Sequence, residues 1–213
     1  MKAFDLTLPP GFVRFSLPRK DDSALRDFVL SAVRDVSEEQ KAQVAGGLYA
    51  GVGGLMDSLA EQGFFVMYFA APSGLLAMQQ PTLCFRPLVL PAELDPLEVL
   101  MASAAQSPDT ELLDIEPAVC LRTATINPVD TEATMSSARE DLDLVDTSDS
   151  LADLDLHQVR CIYQLGVPGV TDSWFEAVAV ATIPVLKGSN LALAEATELF
   201  DAILGTFRWV DDA

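Results

Sequence analysis

The stretch QVRCIYQLGVPGVTDSWFEAVAVATIPV, residues 158–185, decides the fold. In residues 158–165 apolar and polar side chains alternate, which is the period of a β-strand with one buried face. The apolar positions are Val159, Cys161, Tyr163 and Leu165, and the polar ones between them include Gln158, Arg160 and Gln164. The loop 166–173 then leads into a second apolar run at 174–185. This order predicts an antiparallel β-hairpin.

Outward from this hairpin, strand patterns fill the middle of the chain and helix patterns lie toward both ends. Further strands are predicted at 11–18, 64–70, 82–90, 111–115 and 118–126, with a last short strand or docked tail at RWV, residues 208–210. Helices are predicted from Ser23, from the capping-box sequence Ser37-x-x-Gln40, at 96–106 and from about Asn190. The pattern predicts a single α+β domain over 1–213, with a central antiparallel sheet flanked by helices.

Two strand segments carry more specific expectations. The run FFVMYFA at 64–70 is continuously apolar, which is typical of a strand buried on both faces, and 82–90 is expected to return beside it. Pro87 cannot donate a hydrogen bond to a neighbouring strand. Its position therefore predicts that 82–90 lies near an edge of the sheet or contains a bulge.

The run VAGGLYAGVGGLM at 44–56 has no charge and five glycines. A phosphate-binding loop would need Gly-Lys-Ser/Thr, and a dinucleotide-binding turn would need a preceding strand and Gly-x-Gly-x-x-Gly. Neither pattern is present, and the run is too short to span a bilayer. It is predicted to be a helix in which Gly47/Gly51 and Ala50/Gly54 allow another backbone to come close. The same helix, 44–60, would serve as the contact of a homodimer.

The charge balance is strongly acidic, with 32 Asp and Glu against 13 Lys and Arg and a formal net charge of −19. Such a chain repels phosphate backbones and anionic lipid headgroups, which argues against nucleic acid as a partner. The acidity either serves solubility alone or indicates a basic protein partner or a cation. The first residues, MKAFDLTLPP, lack the apolar core of a secretion signal, and no segment is long enough for a membrane span, so we expect a cytoplasmic protein.

Residues 128–156 differ in composition from the rest. From Asn127 to residue 156 the chain has nine acidic residues against one arginine and no aromatic residue. We predict an acidic surface excursion that is partly mobile. Its aspartates are the expected partner-binding residues: Asp141, Asp143, Asp146, Asp149, Asp153 and Asp155.

The last third of the chain carries a family resemblance. YQLGVPGVTDSWFEAVAVATIPVLKGSN, 163–190, followed by EATELFDAILGTFRWV, 195–210, resembles the C-terminal half of Mog1/PsbP-like domains. The phrase that carries the resemblance consists of Phe200, Asp201, Ile203, Thr206, Arg208 and Trp209. The resemblance implies an α/β/α sandwich and a non-enzymatic role in binding a partner protein or supporting an assembly. It implies no catalytic residues.

Several aromatic side chains near the C-terminus offer an alternative to partner binding. Trp174, Phe200, Phe207 and Trp209 could line an apolar ligand pocket between the last helix and the sheet, together with Phe175. The competing interpretation is that they are simply core residues. The second functional hypothesis is therefore a carrier of a small apolar ligand.

Catalysis and metal binding have weak signals. The only histidine, His157, has Asp153 and Asp155 nearby in sequence to orient it, so a hydrolase that uses His157 is a third, minor hypothesis; the chain lacks the sequence signatures of serine or cysteine hydrolases. The three cysteines, at 84, 120 and 161, are far apart and have no zinc-ligand spacing, which is typical of buried reduced thiols. An EF-hand loop starting at Asp141 would need Gly and Glu where Asp146 and Ala152 stand. We therefore predict no catalytic residue, no metal and no cofactor, and an accessory or adaptor protein that binds a basic partner.

Overall fold

The computed structural model describes residues 3–34, 36–70, 81–88, 95–106, 109–116, 118–130, 154–167, 170, 174–186 and 191–210. These residues form nine strands and four helices. The strands are β1 (Ala3–Asp5), β2 (Phe12–Ser16), β3 (Val66–Ala70), β4 (Thr82–Pro87), β5 (Thr110–Ile115), β6 (Ala118–Val129), β7 (Leu154–Gly166), β8 (Phe175–Leu186) and β9 (Arg208–Val210). The helices are α1 (Ser23–Ala32), α2 (Glu38–Glu61), α3 (Pro96–Gln106) and α4 (Leu191–Gly205).

Seven strands form one sheet in the order β2-β3-β4-β8-β7-β6-β5, and every neighbouring pair is antiparallel. The predicted hairpin is confirmed as β7 and β8, in which Tyr163 lies opposite Ala177. β1 and β9 form a separate two-stranded sheet that joins the two ends of the chain, with Phe4 opposite Trp209. The α+β prediction is thus confirmed.

One face of the large sheet packs against α4. The alternation of β7 and β8 turns Tyr163 and Phe175 toward this face, where α4 contributes Phe200 and Leu204. The small β1–β9 sheet completes the layer, because the Phe4 ring stacks on Phe207 with ring centroids 5.0 Å apart. Burial of this continuous apolar layer is the main stabilising contribution that holds α4 in place.

The opposite face is covered in two separate places. α1 and α2 pack over β2, β3 and β4, where Phe28 and Met56 contact Met67. At the other end of the sheet, α3 covers β6 through Leu100, which packs on Leu121 and Trp174. α3 begins as its sequence predicts, since the Asp95 side chain accepts a hydrogen bond from the Leu97 amide at 2.8 Å. On this face, between the α1–α2 pair and α3, the described residues cover the strands only partly.

Some local predictions are wrong. β4 is an interior strand without a bulge, and Pro87 is tolerated because it is the last residue of the strand, opposite Phe175. α2 begins at Glu38 as predicted, but the reciprocal capping box does not form, because the Ser37 hydroxyl donates to Gln40 Oε1 at 3.1 Å. At the two ends of the predicted acidic excursion, 128–129 belong to β6 and 154–156 to β7, and 131–153 lie outside the described residues.

The glycine-rich helix forms, but its small residues do not mediate close packing within the described chain. A Cβ atom added at Gly47, Gly51 or Gly54 would meet nothing within 4 Å, and Ala50 is exposed. Gly53 is the glycine that faces inward, toward Leu25. No helix among the described residues is long and apolar enough to cross a membrane.

Candidate functional site

A groove lies on the partly covered face of the large sheet, beside the C-terminal end of α2. We call it the trough, and its volume is about 280 Å³. It is lined by Leu59, Gln62, Phe64, Arg86, Gln158, Arg160, Glu176, Val178 and Val180. A second groove of about 460 Å³ continues it past Pro87 and Leu88 and shares Gln62, Arg86 and Glu176 with it. The trough therefore has an apolar middle and polar ends.

The floor of the trough follows from the alternation of β8. Ala177, Ala179 and Ala181 point into the core, so Glu176, Val178 and Val180 point to the opposite face. At about 3.3 Å per residue, Glu176 and Val180 lie about 13 Å apart along the strand. The neighbouring strands add one side chain at each end, because Arg86 of β4 lies opposite Glu176 and Arg160 of β7 lies opposite Val180.

Arg86 is held in place at one end of the trough. Its guanidinium forms an ion pair with Glu176 at 2.5 Å and lies over the Phe64 ring, 5.1 Å from the ring centroid. It also approaches the Gln62 carbonyl oxygen at 3.5 Å. Because Glu176 is largely buried while Arg86 is about one third exposed, this pair forms a fixed polar wall with little net charge.

Arg160 is in the opposite situation at the other end. Its residue is exposed, and among the described residues its guanidinium has no carboxylate within ion-pair distance. Gln158 lies two residues before it on the same face of β7. At this end of the trough the N–H groups of the Arg160 guanidinium therefore lie beside the valine side chains of β8 without a carboxylate partner among the described residues.

A second feature is the edge strand β5. Asp109, Glu111, Asp114 and Glu116 are all exposed, and Leu112 between them is 61% exposed. β6 is the only strand that the described residues place beside β5, which leaves the outer backbone edge of β5 without a strand. We call this surface the acidic edge.

A buried polar network joins α4 to the sheet behind the acidic edge. The Asp201 carboxylate accepts a hydrogen bond from the Tyr163 hydroxyl at 2.8 Å and also pairs with Arg122. Arg122 reaches outward to Glu111 at 2.6 Å. Burial is the main cause that raises the pKa of Tyr163, and the negative charge of Asp201 raises it further. The network runs from the buried Tyr163 to the exposed Glu111 and connects α4 to β7, β6 and β5; within the described residues the Nε atom of Arg122 is buried without a hydrogen-bond partner.

Three of the four predicted ligand-binding residues lie together, and Trp174 lies apart from them. Phe200 and Phe207 are 0% and 2% exposed and belong to the core under α4, and Trp209 packs against Phe175 and Phe207. Trp174 lies on the other side of the sheet, in the cluster beneath α3. The described residues thus fill the space between α4 and the sheet at these positions with protein side chains.

Of the predicted partner-binding residues, the structure describes one. Asp155 is exposed near the start of β7, opposite Val185 of β8. Asp141, Asp143, Asp146, Asp149 and Asp153 lie outside the described residues.

The groups considered for catalysis are placed as follows. His157 lies in register between Pro128 and Ile183, and its Nδ1 atom is buried without a hydrogen-bond partner. All three cysteines are buried and reduced, and burial raises the pKa of Cys84 and of Cys120 to about 12. Their thiols therefore stay protonated at neutral pH and are poor nucleophiles. Within the part of the chain that the structure describes, no three His, Cys, Asp or Glu side chains converge as a metal site requires.

Comparison with known proteins adds no relative. No protein-family model matches the chain, and neither the curated proteins nor the solved structures give a significant match. The resemblance to Mog1/PsbP-like domains stays a prediction from the sequence.

The trough was not predicted, although part of its signal is in the sequence. The alternation of 158–165 places Gln158, Arg160 and Gln164 together on the face of β7 away from the core. Three of the four side chains on this face are long and polar, with Ile162 as the fourth, which indicates a solvated sheet surface. The pairing of β4 with β8, which brings Arg86 to the same face, has no comparable local signal.

Proposed function

We propose that the protein is a non-enzymatic accessory or adaptor protein that binds a basic protein partner. The observation that supports this most is the acidic edge, where four exposed carboxylates lie within residues 109–116. Arg122 neutralises only Glu111 among them within the described residues. A partner with Lys or Arg residues would complement this surface.

The geometry of an edge strand adds a second type of contact. Its outer N–H and C=O groups can pair with an extended segment of another protein, which supplies affinity through main-chain hydrogen bonds. Leu112 would serve as an apolar anchor, because its side chain is 61% exposed in the middle of the strand. The net charge of −19 would accelerate encounter with a basic partner over longer distances.

The aspartates of the acidic excursion are part of the same proposal. Asp155 is exposed, and with Asp141, Asp143, Asp146, Asp149 and Asp153 it would supply a second acidic surface. A basic partner could engage either surface, so the experiment must separate them.

The test begins with capture from native lysate on the immobilised full chain, followed by elution at about 1 M salt, where the Debye length is about 3 Å. The eluted protein is then purified and its affinity measured. We expect weaker binding by Asp109→Asn/Asp114→Asn/Glu116→Gln, by a variant with the excursion aspartates changed to Asn, or by both. A matched control, Asp27→Asn/Glu39→Gln/Glu61→Gln, removes the same charge from exposed positions of α1 and α2. Equal affinity in all variants, or binding that does not respond to salt, would refute the proposal.

A homodimer through α2 is a separate candidate that one observation favours. Gly47, Gly51 and Gly54 lie on an exposed helix face where nothing within the described chain requires a glycine. Each interior glycine costs about 1 kcal/mol of helix propensity relative to alanine. A close contact with α2 of a second copy would explain this cost, and light scattering that gives a monomeric mass at high concentration would argue against it.

A further inference from the structure

We infer that the trough is a binding site for a small molecule with one anionic group and an apolar body. The inference concerns the face of the sheet that the proposed partner contact does not use. It rests on three features of the trough: an unpaired guanidinium, an apolar floor and a neutralised far end.

The anionic group is assigned to the Arg160 end. Two arginines line the trough: Arg86 pairs with Glu176, whereas the exposed Arg160 guanidinium has no carboxylate partner among the described residues. A guanidinium presents a planar fork of donors that matches a carboxylate or sulfonate. The Gln158 side chain lies beside it and offers a further N–H donor.

The apolar body is assigned to the middle of the trough. Val178 and Val180 form its floor, and Leu59 and Phe64 at the end of α2 form its wall. Val178 and Leu59 are only partly buried by the protein, so a ligand would remove their remaining apolar surface from water. The length of about 13 Å along β8 fits a body of two or three rings or a short acyl chain.

The Arg86–Glu176 end of the trough favours a ligand with a single negative charge. Arg86 is already neutralised by Glu176 at 2.5 Å and is held over the Phe64 ring. A second anionic group reaching this end would meet the Glu176 carboxylate rather than a free cation. The net charge of −19 adds a long-range penalty for every further negative charge. The trough therefore favours a monoanion over nucleotides and other polyanions.

The experiment uses two dyes with the same ring system. 8-Anilinonaphthalene-1-sulfonate has one sulfonate on an apolar body, and N-phenyl-1-naphthylamine has the body without the charge. We expect the sulfonate dye to bind the native chain more tightly than the neutral dye. Arg160→Gln should weaken binding of the sulfonate dye by about tenfold, the value of a hydrogen bond to a charged group, and leave the neutral dye unchanged.

Two controls make the result specific. Arg34→Gln removes an exposed arginine just before the N-terminal end of α2, which is about 30 Å along the helix from Leu59 in the trough wall, and should change the affinity of the sulfonate dye by less than about twofold. Amide chemical shifts on dye addition should change at Arg160, Val178 and Val180 and stay constant along β5. Unfolding curves of Arg160→Gln that match the native chain will exclude dye binding to a partly unfolded state.

The inference is overturned if neither dye binds, if both dyes bind equally, or if the shifts map elsewhere on the chain. It is also overturned if Arg160→Gln and Arg34→Gln weaken the sulfonate dye to the same extent. These outcomes are independent of the acidic edge, because the edge variants leave the trough residues intact.

Discussion

The buried network around Asp201 gives the sharpest prediction about stability. Asp201→Ala removes the acceptor of the Tyr163 hydroxyl, which belongs to a residue that is 0% exposed. It also removes one of the two carboxylates that pair with Arg122, whose side chain is 11% exposed. The variant thus leaves one buried donor without a partner and one nearly buried cation with a single partner.

The magnitude follows from these two losses. An unsatisfied buried hydroxyl costs about 1 to 3 kcal/mol. Breaking a fully buried ion pair costs about 3 to 5 kcal/mol, but Arg122 keeps Glu111 and the Asp201 side chain is 26% exposed, so this loss falls below that range, at about 1 to 2 kcal/mol. Removing one negative charge from a chain of net charge −19 offsets only a few tenths of a kcal/mol. We expect Asp201→Ala to lower the free energy of unfolding by about 3 kcal/mol, and Tm by about 6 to 12 °C.

The assay is urea unfolding followed by far-UV circular dichroism and tryptophan fluorescence. Glu198→Ala is the matched control, because Glu198 lies on α4 one turn earlier and is exposed. We expect the control to stay within about 0.5 kcal/mol of the native chain. Tyr163→Phe removes the hydroxyl and leaves Asp201 paired with Arg122, so it should cost about 1 to 2 kcal/mol.

The double variant Tyr163→Phe/Asp201→Ala distinguishes the network from simple packing. If the hydroxyl–carboxylate bond contributes as described, the double variant will be more stable than the sum of the single losses by at least about 1 kcal/mol. Additive losses within about 0.5 kcal/mol, or a cost of Asp201→Ala no larger than that of Glu198→Ala, would refute the reasoning.

The remaining predictions concern a glycine pair and alkaline pH. Gly166→Ala would place a Cβ well inside van der Waals distance of the Trp174 indole and should lower the free energy of unfolding by about 1 to 3 kcal/mol. Gly51→Ala adds a Cβ in open space and should raise the free energy of unfolding of the monomer by about 0.5 to 1 kcal/mol. Thermal unfolding of both variants measures these two changes. Because burial raises the pKa of Cys84 and Cys120 to about 12, the unfolded chain loses thiol protons above about pH 9 while the folded chain keeps them. Stability should therefore fall as pH rises from about 9 toward 12, by up to about 1.4 kcal/mol per pH unit for each thiol, and a urea midpoint that is constant over this range would contradict it.

Local periodicity predicts most of the elements of this fold. The hairpin of β7 and β8 follows from the alternation in 158–165 and the apolar run after the loop 166–173, and α3 follows from Pro96 after Asp95 and a short apolar pattern. The order of strands in the sheet does not follow, because it depends on contacts between segments far apart in the chain. β4 pairs with β8 across about ninety residues, so a proline that indicates an edge by local rules ends an interior strand instead.

The contrast between local patterns and contacts of distant segments also explains why the sequence does not predict the trough. The polar face of 158–165 is visible in the sequence, but the trough also needs Arg86 and the end of α2, which only the tertiary structure brings together. The aromatic residues near the C-terminus were a reasonable pocket prediction. Phe175 faces Phe200 of α4, and its neighbour Trp174 therefore lies on the opposite face of the sheet. Residue composition alone does not show on which face each aromatic side chain lies.

The residues that carry the family resemblance all have structural roles in this fold. Phe200 and Ile203 fill the core under α4, and Asp201 joins the helix to Tyr163. The Thr206 hydroxyl accepts a hydrogen bond from the Thr7 amide at 2.9 Å, which joins the end of α4 to the N-terminal segment, and Trp209 pairs with Phe4. These contacts give the named residues structural roles in this chain.

The distribution of buried and exposed groups shows which surfaces would accept a ligand or partner without rearrangement of the core. The α4 side of the sheet is closed over the described residues by packed aromatic rings, a satisfied carboxylate and the strand pair that joins the two ends of the chain. A ligand there would have to displace side chains such as Phe200 or Phe207, at about 3 to 5 kcal/mol for each large aromatic residue moved out of the core. The acidic edge and the trough require no such displacement, because Leu112 is already exposed and Arg160 already lacks a carboxylate partner among the described residues. The proposed binding at either surface would therefore need no local unfolding. We expect mutations under α4 to change stability, and mutations at these two surfaces to leave stability unchanged and alter the proposed binding.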